Sequence, residues 1–270
     1  MTTDAPRLDH DTRCTQWRSN DPTRCNCRDE QGKTPRPPST WADGPWVAFD
    51  TETTGVDTDN DRIVTATVII WTPGHDLQVR SWLADPGVEI PDGAAAVHGI
   101  TTEQAREHGR PAAEVVAEVT RILLEHWAAG CPLIGYNVGF DLSILAAELH
   151  RHHGTALPMT GPVVDPLVID RKVDKYRRGS RKLVDVCRHY GVVLTDEDAH
   201  SADADALAAA RLAWKIARAY PDEIGGVPLA DLHTRQIGWH REWADGFGAY
   251  LASKGKPDDV QRDWPMRGAS

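Results

Sequence analysis

Three consecutive strand-like segments joined by short turns constrain the fold of this chain more than any other feature. They are "WVAFDTE" from Trp46, "RIVTATVIIW" from Arg62 and "LQVRSWLA" from Leu77. Each is rich in β-branched or aromatic residues, and turn sequences such as "TPGHD" separate them. Because connections this short cannot cross over a sheet, the three segments are expected to pair antiparallel.

After the third segment the pattern changes to helices alternating with short strands. The stretch "DPGVEIPDGAAAVHGI", residues 85–100, is expected to be a loop. The sequence "TTEQ" then predicts a capping box in which Thr101 is the N-cap and Gln104 bonds back to it. A second helix, "PAAEVVAEVTRILLEHWAAG", is expected to begin near Pro111 and to end at Gly130.

Two further strands and three further helices are predicted downstream. "CPLIGYN" is typical of a buried strand, and "GPVVDPLVID" of a short strand and its exit. The helical segments are "FDLSILAAELHRHHG", "RKLVDVCRHYG" and the alanine-rich "SADADALAAARLAWKIARAY". We therefore predict an α/β fold with a mixed β-sheet, three antiparallel strands and then parallel strands, and helices on both faces.

The chain is divided on composition into three parts. Residues 1–44 form a polar leader rich in Pro, Asp, Arg, Ser and Thr and are expected to be flexible. Residues 45–220 form the α/β domain, and residues 221–270 a C-terminal helical extension appended to it. In that extension Trp239, Trp243 and Phe247 follow helical spacing and are expected to pack back onto the core, with a partner groove or dimer contact as the alternative.

The net charge of the chain disfavours some classes of function. The formal net charge of −10 argues against a broad basic surface for nucleic acid, although an enzyme could still hold phosphates through metal ions. One basic run, Arg171–Lys182, could follow a phosphate backbone or could be a solvated loop. The sequence shows neither an apolar membrane span nor a signal-like N-terminus, so we expect a cytoplasmic protein with no membrane partner.

The five cysteines do not suggest a disulfide framework, since their number is odd and their spacing irregular. Cys131 and Cys187 lie in apolar sequence and are expected to be buried thiols. The leader holds four possible zinc ligands, in a spacing that matches no familiar zinc pattern, and zinc binding there is left open. These are His10, Cys14, Cys25 and Cys27.

Acidic residues recur where predicted elements begin or end. Asp50 and Glu52 close the first strand and should share one side of it, because side chains alternate along a strand. Asp141 falls in the first turn of a helix after a later strand, and Asp205 in the first turn of the last core helix, five residues after His200. Ser201 is the expected cap of that last helix.

Two adjacent like charges at the end of an apolar strand repel each other and are costly to desolvate, so a cation is expected nearby. Each acidic residue alone has a common structural explanation, such as a solvated strand edge or a helix cap. Together, four oxygen donors suit Mg²⁺ or Mn²⁺ better than zinc. A pair of such ions, roughly 3.5–4 Å apart, is a recurrent device for in-line attack on phosphodiesters.

Three motifs in order, "FDTETTG", "NVGFD" and "HSADAD", resemble those of the DEDDh group of 3′-5′ exonucleases, the DnaQ-like family of the DNA polymerase III epsilon subunit. "VHGIT" and "GSRKLVDVCRHYGV" are also similar to family segments. The resemblance covers about Trp46 to Tyr220. It implies a ribonuclease H-like fold and hydrolysis of phosphodiester bonds from a 3′ end.

The resemblance also implies roles for the acidic residues. Asp50 would bridge two Mg²⁺ or Mn²⁺ ions, Glu52 and Asp205 would complete the tighter site, and Asp141 would help to hold the second ion. His200 would be the general base that deprotonates the attacking water, a task that suits a neutral imidazole.

By the same likeness Thr53, His98 and Phe140 would line the pocket for the terminal nucleotide. The alternatives are a loop histidine packed on the sheet edge for His98 and a core aromatic for Phe140. The implied substrate is a single-stranded nucleic acid, with DNA expected, and the product a nucleoside 5′-monophosphate.

Three questions about function stay open at this level. An exoribonuclease or oligoribonuclease would share the motifs. A non-catalytic nucleic-acid-binding module is disfavoured because all four carboxylates and the histidine are present. A polymerase or other protein partner is conceivable, but neither terminal segment contains a recognisable docking peptide.

Overall fold

The computed structural model describes residues 40–194 and 201–268. Within them a mixed sheet has the strand order β4-β3-β2-β1-β5-β6. Its strands are β1 (Trp46–Thr53), β2 (Ile63–Trp71), β3 (Gln78–Asp85), β4 (Arg110–Pro111), β5 (Leu133–Ile134) and β6 (Val163–Val164).

The strand directions confirm the predicted fold class. β1 pairs antiparallel with β2, and β2 antiparallel with β3. β5 joins the other side of β1 in parallel, and β6 joins β5 in parallel. The short β4 adds a parallel partner to β3. The strand that carries Asp50 and Glu52 is therefore central in the sheet and is hydrogen-bonded on both sides.

Helices cover the two faces of the sheet. In chain order they are α1 (Asp92–His98), α2 (Thr102–His108), α3 (Ala112–Ala128), α4 (Val138–His153), α5 (Pro166–Val173), α6 (Leu183–Tyr190), α7 (Ala202–Ala219) and α8 (Leu229–Ser253). A 3₁₀ turn at Trp41–Asp43 precedes β1, and a π-helical turn at Pro221–Gly225 follows α7. None of the helices in the described part of the chain is both long and apolar enough to cross a membrane.

The sheet separates two hydrophobic cores. Val47 and Phe49 of β1 pack with α3 and α4, whereas Trp46 and Ala48 pack with α6 and α7. This division follows from the alternation of side chains along β1. The abundant alanines of α7 lack bulk, so this helix can lie close against the sheet. Cys131 and Cys187 are buried free thiols, one in each core, as predicted.

Two helices were missed at the level of sequence. The expected loop at residues 85–100 contains α1, which follows Pro91 and ends at Gly99 in the left-handed region, at φ 77°. Its Pro and Gly residues mark the ends of a short helix and not a continuous loop. The expected strand exit after residue 164 is instead α5, whose N-cap Asp165 accepts a hydrogen bond from the backbone of Leu167. The predicted Thr101–Gln104 capping box is present.

The C-terminal segment is tied into the α/β layers by buried polar contacts. Gln236 of α8 is fully buried; its side-chain oxygen accepts from the backbone N–H of Asp165 at 2.8 Å, and its side-chain nitrogen donates to the carbonyl of Val163 at 2.9 Å. Trp264, beyond α8, belongs to the core on the α3–α4 face. The domain boundary at residue 220 therefore stays a prediction. Buried hydrogen bonds and core packing cross it.

The three aromatic residues of α8 that the sequence analysis singled out differ in their burial. Trp239 packs against both hydrophobic cores, as expected for a side chain that covers the domain. Trp243 is partly buried beneath the guanidinium of Arg171, whose carbon lies 3.5 Å from the ring centroid. Phe247 is 40% exposed. The aromatic series thus runs from the core to the surface.

Several side chains of the basic run Arg171–Lys182 form ion pairs with acidic residues of the same chain. Arg177 and Arg181 both pair with Asp170, a fully buried carboxylate. Lys175 lies 3.1 Å from Glu242 of α8. These ion pairs favour a structural role for those three side chains over contact with a phosphate backbone. The leader residues 1–39, including the possible zinc ligands, lie outside the described residues.

Replacing Gln236 by Leu is expected to destabilise the protein by about 2–4 kcal/mol, because the buried N–H of Asp165 and carbonyl of Val163 would both lose their partner. Chemical denaturation gives the free energy of unfolding directly. Arg235→Leu, at an exposed neighbouring position of α8, is the control and should shift it by less than about 0.5 kcal/mol. Equal effects of the two substitutions would contradict the proposed coupling of α8 to the sheet.

Candidate metal centre and nucleotide pocket

Three of the predicted acidic residues converge at the end of β1. Asp50, Glu52 and Asp205 each offer a carboxylate oxygen, and these three atoms lie within 4.8 Å of one another. Asp50 and Glu52 project to the α7 side of the sheet, on the same side of β1 as Trp46 and Ala48 of the core there. Asp205 comes from the first turn of α7. Their proximity is a property of the fold, and their role as metal ligands is a proposal.

Asp141 approaches the same strand end from the opposite face. It lies in the first turn of α4 and is only 4% exposed. Its Oδ1 accepts hydrogen bonds from the backbone N–H of Thr51 at 3.0 Å and from the Thr51 hydroxyl at 2.7 Å. Thr51 faces α4 because it stands between the two carboxylates of β1. This threonine positions Asp141, a role that the sequence analysis did not assign to it.

The turn that leads into α4 is held by the residue that follows β6, Asp165. Asn137 is the N-cap residue and has a left-handed backbone, at φ 58°. Its N–H donates to Oδ1 of Asp165 at 3.0 Å. The approach at Gly135 is also close, since a Cβ there would lie 2.8 Å from the Phe49 carbonyl. The first turn of α4, with Asp141, is thereby fixed against β1.

Burial and neighbouring carboxylates raise the pKa values of Asp50, Glu52 and Asp141. Burial raises the pKa of Asp50 well above its usual range, and the charges of Asp141, Asp205 and Glu52 add to the effect. Burial, Asp205 and Asp141 raise the pKa of Glu52 to about 8. Burial also raises the pKa of Asp141 to about 7, although its bonds to Thr51 oppose the shift.

This donor set fits a hard divalent cation. Oxygen-only ligands suit Mg²⁺ and Mn²⁺, and a cation would offset the repulsion that raises these pKa values. The same groups would bind zinc less well, because zinc favours nitrogen and sulfur ligands. The residues present therefore match the predicted chemistry.

The start of α7 differs from its prediction in one detail. Ser201 occupies the N-cap position, but its side chain makes no capping hydrogen bond and instead donates to Asp203. The competing carboxylate two residues away explains the loss of the cap. The N–H of Asp205 donates to the Ser201 carbonyl at 3.0 Å. His200 lies outside the described residues, and its role as general base stays a prediction.

Two of the three predicted nucleotide contacts lie close together. His98, at the end of α1, is partly buried, and its Nδ1 accepts from the backbone N–H of Ile100 at 3.2 Å. Burial lowers the pKa of His98, and the nearby Thr53 carbonyl partly opposes this. The Thr53 hydroxyl donates to the Gly55 carbonyl at 2.7 Å. The helix that the sequence analysis missed thus brings His98 to the end of β1.

Phe140 precedes Asp141 in the first turn of α4. It is partly exposed and belongs to neither of the two main hydrophobic cores. The alternative of a core aromatic is therefore not favoured. A ring at this position, beside a buried carboxylate, remains available to contact a ligand, and its proposed nucleotide contact stays a prediction.

Residues 47–213 match the RNase_T family, described as exonuclease. The match spans more than half of the chain, and the chain therefore belongs to this family of exonucleases. All three motifs, which carry the carboxylates of the site, lie within the match. The resemblance to DnaQ-like 3′-5′ exonucleases is confirmed.

Similar proteins agree with this membership. DNA polymerase III PolC-type of Lacticaseibacillus paracasei is 27% identical over 198 residues, which cover 73% of this chain but only 13% of that polymerase. DNA polymerase III subunit epsilon of Treponema pallidum is 28% identical over 162 residues, covering 60% of this chain and 71% of that subunit.

A solved structure agrees in fold. E. coli Exonuclease I in complex with a dT13 oligonucleotide superposes with a TM-score of 0.55 at 20% identity, covering 66% of this chain and 42% of that one. At this level of identity the likeness shows a shared fold alone. The similarity thus spans only part of the PolC-type polymerase and of Exonuclease I, and only part of this chain.

The pKa of Glu52 makes a prediction for the metal-free protein. Its folded pKa of about 8 exceeds the ordinary value of 4.5, so folding disfavours the ionised form and stability falls as pH rises from about 5 to 8. In EDTA, Glu52→Gln should unfold like the wild type at pH 5 but be more stable by on the order of 1 kcal/mol at pH 8.

Urea denaturation at the two pH values measures this difference. The control is Glu89→Gln, a change of the same charge at an exposed position outside the site, which should give no pH-dependent gain. If Glu52→Gln raised the free energy of unfolding by the same amount at both pH values, the prediction would be refuted. The cost of ionising Glu52 in the folded protein would then not explain the gain.

Proposed function

We propose that this chain is a 3′-5′ exonuclease that removes nucleotides from single-stranded DNA with the help of two Mg²⁺ or Mn²⁺ ions. The observation that carries the proposal is the convergence of Asp50, Glu52 and Asp205 at the end of β1, in a chain of the exonuclease family. Mutually repelling, partly buried carboxylates are costly to a fold, and a divalent cation explains why they are placed together.

The substrate class is supported by the relatives. They are named as DNA polymerase III proteins, and a structural neighbour was solved with a DNA oligonucleotide. An activity on DNA in bacteria would be cytoplasmic, and we include that location in the proposal. A polymerase partner is suggested only by the names of the relatives.

The carboxylates would divide the work of binding. Asp50 would bridge the two ions, Glu52 and Asp205 would complete one site, and Asp141, oriented by Thr51, would support the second. When bound, such ions supply charge stabilisation to a phosphodiester under attack and to the oxygen that leaves. Thr51 would orient Asp141 by hydrogen bonding to its Oδ1, so that Oδ2 would be the atom offered to an ion.

The remaining residues would act on the water and on the substrate. His200 would take the proton of the attacking water while a new P–O bond forms and the P–O3′ bond to the shortened strand breaks. Thr53, His98 and Phe140 would hold the terminal nucleotide, with Phe140 offering a ring face to its base. The product would be a nucleoside 5′-monophosphate.

Two substitutions on the same helical turn provide a matched test. Asp205→Asn should lower the rate of 3′-end shortening by on the order of a thousandfold, because it removes a charged oxygen donor. Asp203→Asn, two residues away and exposed, should leave the rate within about twofold of the wild type. The measurement is gel analysis of 5′-labelled single-stranded DNA with Mn²⁺ or Mg²⁺ and with EDTA.

Parallel reactions with RNA of the same sequence decide the substrate. Faster cleavage of the RNA would replace DNA by RNA in the proposal and would indicate an exoribonuclease. Shortening that continues in EDTA, or equal rates for the two aspartate variants, would overturn the metal-dependent mechanism. Failure of the folded protein to shorten either strand would overturn the catalytic function itself.

A further inference from the structure

A concave surface lies next to the turn that leads into α4. It is a pocket of about 430 Å³ between α8, the segment after it and α5. Its lining residues are Asn137, Arg171, His240, Trp243, Phe247, Leu251, Pro257, Asp259, Val260 and Gln261. The volume is in the range of pockets that hold small ligands or parts of larger ones. None of the carboxylates of the proposed metal centre lines it. We call it the α8 pocket.

Aromatic rings form one wall of the α8 pocket and continue beyond it. Trp243 and Phe247 are stacked, with centroids 5.5 Å apart and an angle of 13° between planes. Phe247 and Tyr250 follow at 6.3 Å and 18°. Phe247 is 40% and Tyr250 55% exposed. Three nearly parallel rings therefore run along one side of α8 toward solvent.

A row of exposed aromatic rings needs an explanation in a chain of this charge. Large apolar side chains that remain on the surface as a group mark interaction sites more often than isolated ones do. The rings are parallel, and their orientation matches the stacked planes of consecutive nucleobases.

Positive charge accompanies the rings. The guanidinium of Arg171 stands 3.5 Å from the Trp243 ring centroid and lines the pocket. Lys254 lies 5.7 Å from the Tyr250 ring centroid, farther along the row. Asp259 is the one carboxylate among the pocket-lining residues. A series of rings with a cation at each end suits a polyanion whose bases present flat faces.

The α8 pocket is connected to the carboxylates through α4 and α5. Asn137 lines the pocket and lies one helical turn before Asp141. The N–H of Asn137 bonds to Asp165, whose charge in turn acts on Arg171. A strand whose 3′ end reaches Asp50 could thus extend into the pocket with its preceding nucleotides.

We propose that the α8 pocket and its ring series, Trp243, Phe247 and Tyr250, bind the nucleotides of single-stranded DNA that precede the one being cleaved. This inference rests on the proposed function and adds to it a binding surface built mostly from residues beyond the exonuclease family match, with Asn137 and Arg171 inside that match. The exposed rings of Phe247 and Tyr250 would contact bases, and Arg171 with Lys254 would approach phosphates. The surface would hold the strand between successive cleavages.

Binding without cleavage tests this directly. Full-length protein carrying Asp50→Asn, in EDTA, is titrated into a 5′-fluorescein-labelled oligothymidylate of about twelve nucleotides, and anisotropy is recorded. Phe247→Ala and Tyr250→Ala in this background should each weaken binding by about tenfold. Ile237→Ala, at an equally exposed position on the same helix and outside the pocket, should change affinity less than twofold.

Two conservative variants separate stacking from general apolar contact. Phe247→Trp keeps a ring and should retain affinity, whereas Phe247→Leu keeps an apolar side chain without a ring and should lose about as much as Phe247→Ala. Because the side chain is 40% exposed, these changes are expected to leave the fold intact, which circular dichroism verifies.

A second readout uses the active enzyme without the Asp50 change. The ratio of kcat/KM for the oligonucleotide to kcat/KM for the p-nitrophenyl ester of thymidine 5′-monophosphate should fall about tenfold in Phe247→Ala, because the ester is too short to reach the pocket. Ile237→Ala should keep the wild-type ratio.

The outcomes distinguish this inference from the proposed function. Equal oligonucleotide affinity in Phe247→Ala, Phe247→Leu and Ile237→Ala would overturn the α8 pocket as a DNA site, even if the enzyme is active. A ring-dependent self-association seen by ultracentrifugation, with unchanged DNA affinity, would also overturn it and would assign the rings to a second copy. An inactive wild type that still binds DNA through these rings would overturn the proposed function, and it would leave the α8 pocket as a site for single-stranded DNA with no role between cleavages.

Discussion

The alternation of side chains along β1 is the constraint on which the candidate site depends. Val47, Phe49 and Thr51 face α3 and α4, whereas Ala48, Asp50 and Glu52 face α7. β1 therefore contributes side chains to both hydrophobic cores. At its end, the carboxylates of Asp50 and Glu52 lie on one face and the hydroxyl of Thr51 on the other. Because β1 is hydrogen-bonded to β2 and β5, this assignment cannot slip by one residue without inverting every contact.

Much of this arrangement could be predicted from sequence because it follows periodicity. The three antiparallel strands and the Thr101 capping box each depend on residues close in the chain or on a regular repeat. The convergence of Asp50, Glu52 and Asp205 joins residues distant in sequence, and it was expected from the three motifs that resemble the exonuclease family. What could not be predicted depends on contacts distant in sequence. The bond between Thr51 and Asp141 joins residues 90 positions apart, and no local pattern distinguishes that threonine from its neighbours.

Short helices escaped prediction for a different reason. α1 and α5 contain seven and eight residues, too few for a clear apolar repeat, and each is flanked by Pro or Gly residues typical of loops. Tertiary contacts stabilise such helices more than propensity does. In α1 the consequence reaches the site, since this helix carries His98 toward Thr53. The Ser201 cap failed through competition from Asp203, an interaction that propensities do not describe.

The buried amide of Gln236 has a consequence for the border of the sheet. β6 is the last strand on its side, and a terminal strand would present unpaired peptide groups to other chains. Gln236 accepts from one such N–H and donates to one such carbonyl, and His233 accepts from the N–H of Val163. Two helical side chains thus imitate the peptide groups of a seventh strand. In this way one turn of α8 occupies the peptide groups at the β6 edge that another strand would need for pairing.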